Sequence, residues 1–340
     1  RVAGLKVAGD SQITNSDAYN WESLEIMTGS PLPQGGILDC VVKVEETHEE
    51  WLPDGMRLVF VTRPIESGEN VRGCATDFRK GKAVLEPGDV IQAETVMALA
   101  ALGIGELSVV KRPKLAFVST GNELAPFGEP RLAPGMIRNS SGPFLALAVQ
   151  LAGCEILDLG CVRDDSEMFI QACRRAMEWG ADVILSTGAV SMGIHDFVGG
   201  ALDQMGAIPH FHKCAIRPGK PILFAEFGPN QPVFFGLPGN PVSTAVGFRF
   251  FVQPYLRGIQ GLPVENSAPA LLVESFPNPP GLRCFFKAMV SELDGTRTVR
   301  VLKGQGSYQI HPLLKANAWV EFEEQSERIE AGAKVGVYGL

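Results

Sequence analysis

The chain has 340 residues, and this length favours more than one domain because single cores stop growing near about 250 residues. Its formal net charge of −8 argues against non-specific binding to nucleic acid. No apolar run reaches the roughly 20 residues that a membrane helix needs, and the N-terminal residues lack the features of a signal peptide. Seven cysteines without C-x-x-C spacing are typical of reduced thiols in a cytoplasmic protein.

The first 65 residues are predicted to form a small β domain, because apolar stretches alternate there with turns. Residues 41–44 and 57–61 have the composition of strands. Residues 66–112 are predicted to form a connecting arm, in which glycines and prolines separate short strands before a helix at residues 93–102.

Residues 113–260 show apolar runs that alternate with helical patterns, which is typical of an α/β domain whose parallel sheet is covered on both faces. The predicted strands are residues 114–118, 154–157, 182–185 and 233–235. Helices are predicted at residues 142–151, after the N-cap Ser141, and at residues 167–179, after Asp165 or Ser166.

Residues 261–340 return to short strands and turns, and they are predicted to form a small β barrel or sandwich. The strands are expected at residues 270–274, 284–290, 298–302 and 318–322. The predicted fold class is therefore a central α/β domain flanked by small β domains in a multidomain chain.

Small, hydroxyl-bearing and acidic residues follow each strand of the predicted parallel sheet. Because ligands bind outside the carboxyl ends of parallel strands, these segments predict a binding site on one rim of the sheet. The segments are residues 119–123, 163–165, 186–196 and 237–243.

Two of the loops have the composition of anion-binding sites. Residues 186–193 can present backbone N–H groups to an anion, because Gly188 and Gly193 allow close approach; the alternative is an ordinary strand-to-helix turn. Residues 217–221, Arg-Pro-Gly-Lys-Pro, place two cations around a tight turn that can bind a tetrahedral anion. The alternative for this segment is a solvated basic turn.

Four acidic residues near the rim are candidate magnesium ligands or proton-transfer groups, since magnesium held against phosphates needs only one or two carboxylates. They are Glu123, Asp164, Asp165 and Asp196. A helix cap is the preferred interpretation of Asp165, and a first-turn helix acid is the alternative for Asp196. His210 and His212 share one face of a strand, but no third ligand is evident, so a structural or solvent-facing pair is preferred.

Taken in chain order, the motifs resemble those of the molybdenum insertase (molybdopterin molybdenumtransferase) family, which includes the E domain of gephyrin. The resemblance covers nearly the whole chain, and the joint pattern is specific although each motif alone is not. The matching segments are residues 28–33 (T-G-S-P-L-P), 68–72, 119–124 (S-T-G-N-E-L), 139–141, 188–196, 217–221, 237–243 (L-P-G-N-P-V-S), 283–287 and 304–307.

The resemblance implies an elongated homodimer with four subdomains per chain. It also implies a reaction in which adenylylated molybdopterin and molybdate give the molybdenum cofactor and AMP, with Mg²⁺ as the divalent cation. The α/β domain would bind the pterin adenylate, and two basic segments would bind the molybdate. The adenylyltransferase of the same pathway is an implied partner.

Site residues follow from the matched motifs. Asp196 and Glu123 would be the catalytic acids and magnesium ligands, with Asp196 assisting cleavage of the phosphoanhydride. The pterin adenylate would contact Ser119, Thr120, Gly121, Asn139, Ser140, Gly188, Val190, Ser191, Gly193, Pro238 and Asn240. Molybdate would lie near Arg217, Lys220, Pro221 and Ser243, with Arg283, Lys287 and Ser307 from the last domain closing in.

The chain departs from the family pattern at three places. An early M-D-G-Y-A segment is absent, and we expect that the chain starts after it. Asn122 and Asn139 replace aspartates, and Ala189 replaces a glycine. A paralogue or gephyrin-like scaffold with altered or lost activity is therefore one alternative. A molybdopterin adenylyltransferase is another, although that enzyme lacks the T-G-x-P-x-P segment and the flanking β domains.

Overall fold

The structure is a computed structural model that describes residues 2–6, 23–33, 38–190, 197–325 and 327–340. The chain divides into two compact units, Arg1–Glu86 and Pro87–Leu340. Among the described residues, no helix combines the length and the apolar character needed to cross a membrane.

The first unit contains two small sheets. β1 (Val2–Lys6) pairs in parallel with β2 (Ser23–Ile26), and β3 (Thr47–Trp51) pairs antiparallel with β4 (Arg57–Val61). The strand predicted at residues 57–61 is thereby confirmed. Arg57 joins the two sheets, since its guanidinium contacts Glu25 at 2.6 Å and donates to Glu49 at 3.0 Å.

The strand predicted at residues 41–44 is wrong. Val44–Glu46 is a 3₁₀ helix, and the residues before it have no strand partner. The backbone of Val41 bonds to a loop instead, because its N–H donates to the Glu69 carbonyl at 2.9 Å and its carbonyl accepts from the Asn70 amide at 2.8 Å. The apolar composition of this segment indicated burial, but loop residues take up its hydrogen bonds.

The second unit begins with the predicted helix, which is confirmed as α1 (Ala93–Ala101). Residues 66–112 are all described and contain no strand, so the short strands predicted there are wrong. The central part comprises β5 (Lys114–Thr120), β6 (Leu124–Ala125), β7 (Ile137–Arg138), α2 (Ser141–Leu151), β8 (Glu155–Val162), α3 (Ser166–Glu178), β9 (Val183–Thr187), α4 (Val198–Gln204), β10 (Ile208–His212), β11 (Ile216–Arg217), β12 (Leu223–Glu226), β13 (Val233–Leu237), α5 (Pro241–Gly247) and α6 (Gln253–Ile259). A π-helical turn, Phe248–Val252, joins α5 to α6.

The central sheet has six strands in the order β10-β12-β13-β9-β5-β8. The four strands that the sequence predicted are parallel neighbours in it, which confirms the α/β domain. β12 runs antiparallel to both β13 and β10, so the sheet is mixed rather than purely parallel. Alternate side chains of β5 enter separate cores: Leu115 and Phe117 lie in the cluster that includes α2 and α5, and Ala116 and Val118 in the cluster that includes α3 and α4. Burial on both faces explains why β5 has an unbroken apolar run from Leu115 to Val118.

The C-terminal part is a closed β barrel. Its elements are β14 (Ala268–Leu272), β15 (Phe276–Pro277), β16 (Arg283–Leu293), β17 (Thr296–Val301), a 3₁₀ helix His311–Leu314, β18 (Ala318–Phe322), β19 (Arg328–Ile329) and β20 (Lys334–Gly339). The strand order β16-β17-β14-β20-β18 closes through the β16–β18 pairing. β11 extends this sheet by pairing in parallel with β16, which ties the barrel to the α/β domain.

Candidate functional site

Three loops meet at the carboxyl ends of β5, β9 and β13, which are adjacent in the sheet. The N–H of Gly188 donates to the Leu237 carbonyl at 3.0 Å. A Cβ on Gly188 would lie 2.4 Å from the carbonyl oxygen of Thr120, and a Cβ on Gly239 would lie 3.5 Å from the Cα of Gly188. Backbone therefore lies against backbone at this point, and Gly188 also has a φ of +90°, which favours glycine.

Buried hydroxyl groups form the floor beneath these loops. The Asn139 amide donates to Ser119 Oγ at 3.0 Å, and the Thr187 hydroxyl donates to the same atom at 3.3 Å. The Thr120 hydroxyl donates to the Thr187 carbonyl at 3.1 Å. Because these side chains are buried and bonded to one another, they hold the loops in place. Ser140 and Asn240, which the resemblance also assigned to the ligand, are exposed.

The two asparagines that replace family aspartates both have partners in this chain. Asn139 uses the two ends of its amide, since Oδ1 accepts from the N–H of Gly142 at 2.9 Å while Nδ2 donates to Ser119. A carboxylate at this position would have no N–H to donate. Asn122 and Asp164 exchange side-chain and backbone hydrogen bonds, each at 3.3 Å. These asparagines therefore stabilise the rim.

The predicted anion-binding loop is described as far as Val190, which is 2% exposed. Ala189, which replaces a glycine, has a φ of 48° and so occupies the left-handed region. Ser191, Gly193 and Asp196 lie outside the described residues, and their assigned roles stay predictions.

The acidic residues of the rim take different positions. Asp165 caps α3, because its Oδ1 accepts from the N–H of Met168 at 2.8 Å, and the helix-cap interpretation is confirmed. Glu123 is exposed, and its carboxylate folds over Gly121, where a Cβ would lie 2.6 Å from Glu123 Oε2. Across the described ranges, no group of three His, Cys, Asp or Glu side chains is arranged to hold a metal ion. Because magnesium held against phosphates needs only one or two carboxylates, the role of Glu123 as catalytic acid and magnesium ligand stays a prediction.

A second locus lies where the basic turn, the start of α5 and a barrel loop come together. Within the basic turn, a Cβ on Gly219 would lie 3.6 Å from the Ser243 carbonyl oxygen. The N–H of Val242 donates to the Ser307 carbonyl at 2.9 Å. Arg217 and Lys220 are both exposed, and neither forms an ion pair with any residue that the structure describes. The predicted cations and serines are therefore brought together from three segments.

Two predicted oxyanion ligands of the barrel have other partners. Lys287 is fully buried, and its ammonium donates to the carbonyls of Gln309 at 3.0 Å and Gly306 at 3.4 Å. Burial lowers the pKa of this ammonium. Arg283 contacts Glu324 at 3.1 Å and Glu321 at 3.3 Å, and the hydrogen bond to Glu324 raises its pKa. Lys287 thus holds the loop that carries Ser307, and Arg283 lies beside two glutamates. The molybdate role assigned to both cations stays a prediction.

Sequence reasoning missed the residues that hold this barrel loop. The Gln305 side chain bonds the backbone N–H and carbonyl of Lys287, and the Gln309 side chain accepts from the N–H of Gly306 at 2.8 Å. Neither glutamine belongs to a periodic pattern. Gln305 lies within the matched segment 304–307, but that match gave no role to its side chain.

Comparisons with known proteins agree with the family resemblance and with the fold. Family models described as "MoeA N-terminal region (domain I and II)", "Probable molybdopterin binding domain" and "MoeA C-terminal region (domain IV)" match residues 7–103, 116–258 and 269–340. The molybdopterin molybdenumtransferase of Synechococcus elongatus is 38% identical over 93% of this chain and 75% of its own length. That of Bacillus subtilis is 30% identical over 97% of this chain and 75% of its own length. The crystal structure of the molybdopterin biosynthesis moeA protein from Pyrococcus horikoshii has a TM-score of 0.77 and 26% identity, covering 98% of this chain and 80% of that one.

Proposed function

Because the chain belongs to the molybdopterin molybdenumtransferase family, we propose that it inserts molybdate into adenylylated molybdopterin and releases AMP. The observation that carries this proposal is the meeting of the three loops at Gly188, in a domain that also presents two exposed cations at the basic turn. Backbone that approaches closely at the ends of parallel strands suits a phosphate-bearing ligand, and paired cations suit a dianion.

We assign the pterin adenylate to the rim formed by the loops after β5, β9 and β13. Molybdate is assigned to the second locus, with Arg217 and Lys220 as its cations and Ser243 and Ser307 beside them. The matches to both MoeA flanking regions argue against the adenylyltransferase alternative, which lacks those domains. Mg²⁺, a cytoplasmic location and an adenylyltransferase partner remain predictions from the resemblance, and no step is assigned to a metal ion.

The direct test is a measurement of AMP release from adenylylated molybdopterin. We expect release that depends on added molybdate. A parent chain that binds the pterin adenylate but releases no AMP would contradict the enzyme function and would favour the scaffold or paralogue alternative.

Replacing Arg217 or Lys220 by alanine is expected to weaken molybdate binding. A charge-assisted contact to a dianion contributes about 1.5–3 kcal/mol, so the affinity should fall by roughly ten- to a hundredfold. Both residues lie on an exposed turn, so thermal unfolding should be unchanged. Calorimetry with molybdate measures the effect, and Arg300→Ala, an exposed arginine in β17, is the matched control. Unchanged molybdate affinity in both variants would contradict the assignment of Arg217 and Lys220 as molybdate ligands.

We expect the chain to form a homodimer. The resemblance implies one, and the outer face of α2 supports it, because Phe144, Leu147 and Leu151 are 40%, 59% and 79% exposed along a single stripe. Light scattering at micromolar concentration should give twice the mass of one chain, and replacing Leu147 and Leu151 together by glutamate should lower it. A monomeric parent would count against this prediction.

A further inference from the structure

The two histidines of β10 have different partners. His210 Nε2 lies 3.0 Å from Glu226 Oε2, and the His210 side chain is 45% exposed. His212 Nε2 lies 2.7 Å from the carbonyl oxygen of Val190, in the loop that follows β9. Because a carbonyl oxygen only accepts, the His212 ring nitrogen must carry a hydrogen and donate it.

Val190 is also held by packing. Its side chain is 2% exposed and lies against the backbone of β13, where a Cβ on Gly236 would be 2.7 Å from Val190 Cγ1. β12 and β13 separate β9 from β10 in the sheet. The His212 bond therefore links the loop after β9 to a strand three places away in the sheet.

The hydrogen bond from His212 to Val190 lies next to a residue with a strained backbone. Ala189, directly before Val190, has a φ of 48°, a conformation that residues with a Cβ rarely adopt. Such a residue keeps its conformation only where the surroundings fix the backbone on both sides. The Gly188 N–H bond to Leu237 fixes one side, and the His212 bond to Val190 fixes the other.

We propose that His212 is a positioning residue for the adenylate site, and that its N–H donor holds residues 188–190 at the rim where Gly188 contacts Thr120 and Gly239. This inference rests on the proposed function, since it assigns the adenylate to that rim. Backbone donors bind an anion well only when they are held in place before the ligand arrives. His212 thus acts through the loop and does not itself touch the ligand.

Three variants test whether the ring N–H of His212 holds the loop. His212→Leu removes it, His212→Gln replaces it with an amide N–H, and His210→Leu is the matched control two residues away on the same strand. AMP, the product of the proposed reaction, is the calorimetric probe. We expect His212→Leu to weaken AMP binding about tenfold, with His212→Gln and His210→Leu within about twofold of the parent. Hydrogen exchange of the peptide that ends at Val190 should be faster in ligand-free His212→Leu alone.

The outcomes separate this inference from the proposed function. Parent-like exchange and AMP affinity in His212→Leu would overturn the positioning role. Equal weakening in His212→Gln and His212→Leu would overturn it as well, because ring packing rather than donation would then be responsible. A parent that fails to bind AMP would contradict the proposed function, whereas the exchange measurement would still decide whether His212 holds the loop.

Discussion

Gly188→Ala is expected to abolish AMP release and to destabilise the fold. The added Cβ would lie 2.4 Å from the Thr120 carbonyl oxygen, a backbone atom that cannot move without shifting the end of β5. The residue also has a φ of +90°, at which any side chain is strained. Backbone strain and overpacking each cost about 1–3 kcal/mol, so a loss on the order of 3 kcal/mol or more is expected. Denaturant unfolding and AMP release measure the two effects.

Ala189→Gly is the matched control for this prediction. It changes the next residue in the same loop and removes a Cβ from a backbone with a φ of 48°, so the conformation becomes easier to adopt. We expect stability at least equal to that of the parent and full AMP release. A Gly188→Ala variant with parent-like stability and activity would show that the three loops do not need to touch.

Asp196→Asn is expected to leave pterin adenylate binding intact while AMP release falls at least about a hundredfold, the usual scale for a positioned acid or base. Asp196 lies outside the described residues, and the prediction rests on its place three positions after Gly193 and on the matched family motif. A carboxylate beside phosphates is unfavourable unless a cation lies between them or a proton is being handled. Either condition gives the charge a role in the reaction.

The amide variant keeps the size of the side chain and removes its charge. A helix-start acid, the alternative interpretation, would give a small change in stability and near-normal turnover. AMP release with magnesium and molybdate present, together with calorimetry on the pterin adenylate, separates the two. Turnover within a few-fold of the parent would mean that Asp196 was assigned wrongly. A site that has Asn122 and Asn139 in place of aspartates would then use other residues for catalysis.

Local sequence patterns predicted the α/β domain well, because the burial of a strand and the end of a helix both depend on residues that are close together in the sequence. The apolar runs located β5, β9 and β13 to within two residues, since strands covered on both faces have no polar side. The run at residues 154–157 found only the first half of β8, because this edge strand carries the exposed Asp158. Asp165 was identified as a helix cap because its bond reaches only three residues along the chain. The motif order alone also indicated the family. The domain boundaries and the individual site residues stay predictions.

The sequence patterns missed β12, which pairs antiparallel with the next strand, β13, across the loop at residues 227–232. An apolar run does not state in which direction a strand meets its neighbour. Residues far along the chain decided which hydrogen bonds Lys287 and His212 form. Lys287 was predicted to meet an anion, yet the barrel turns it toward carbonyls 19 and 22 residues away. His212 was expected to be structural or solvent-facing, and it bonds a carbonyl 22 residues before it. The sequence by itself therefore determined the family, most of the main strands and the Asp165 cap, because these depend on nearby residues. The predicted N-cap Ser141 was wrong, since α2 has Ser140 at that position. Only the tertiary structure decided which polar side chains hold the loops of the rim and of the barrel, because a polar group bonds whatever donor or acceptor the fold brings to it.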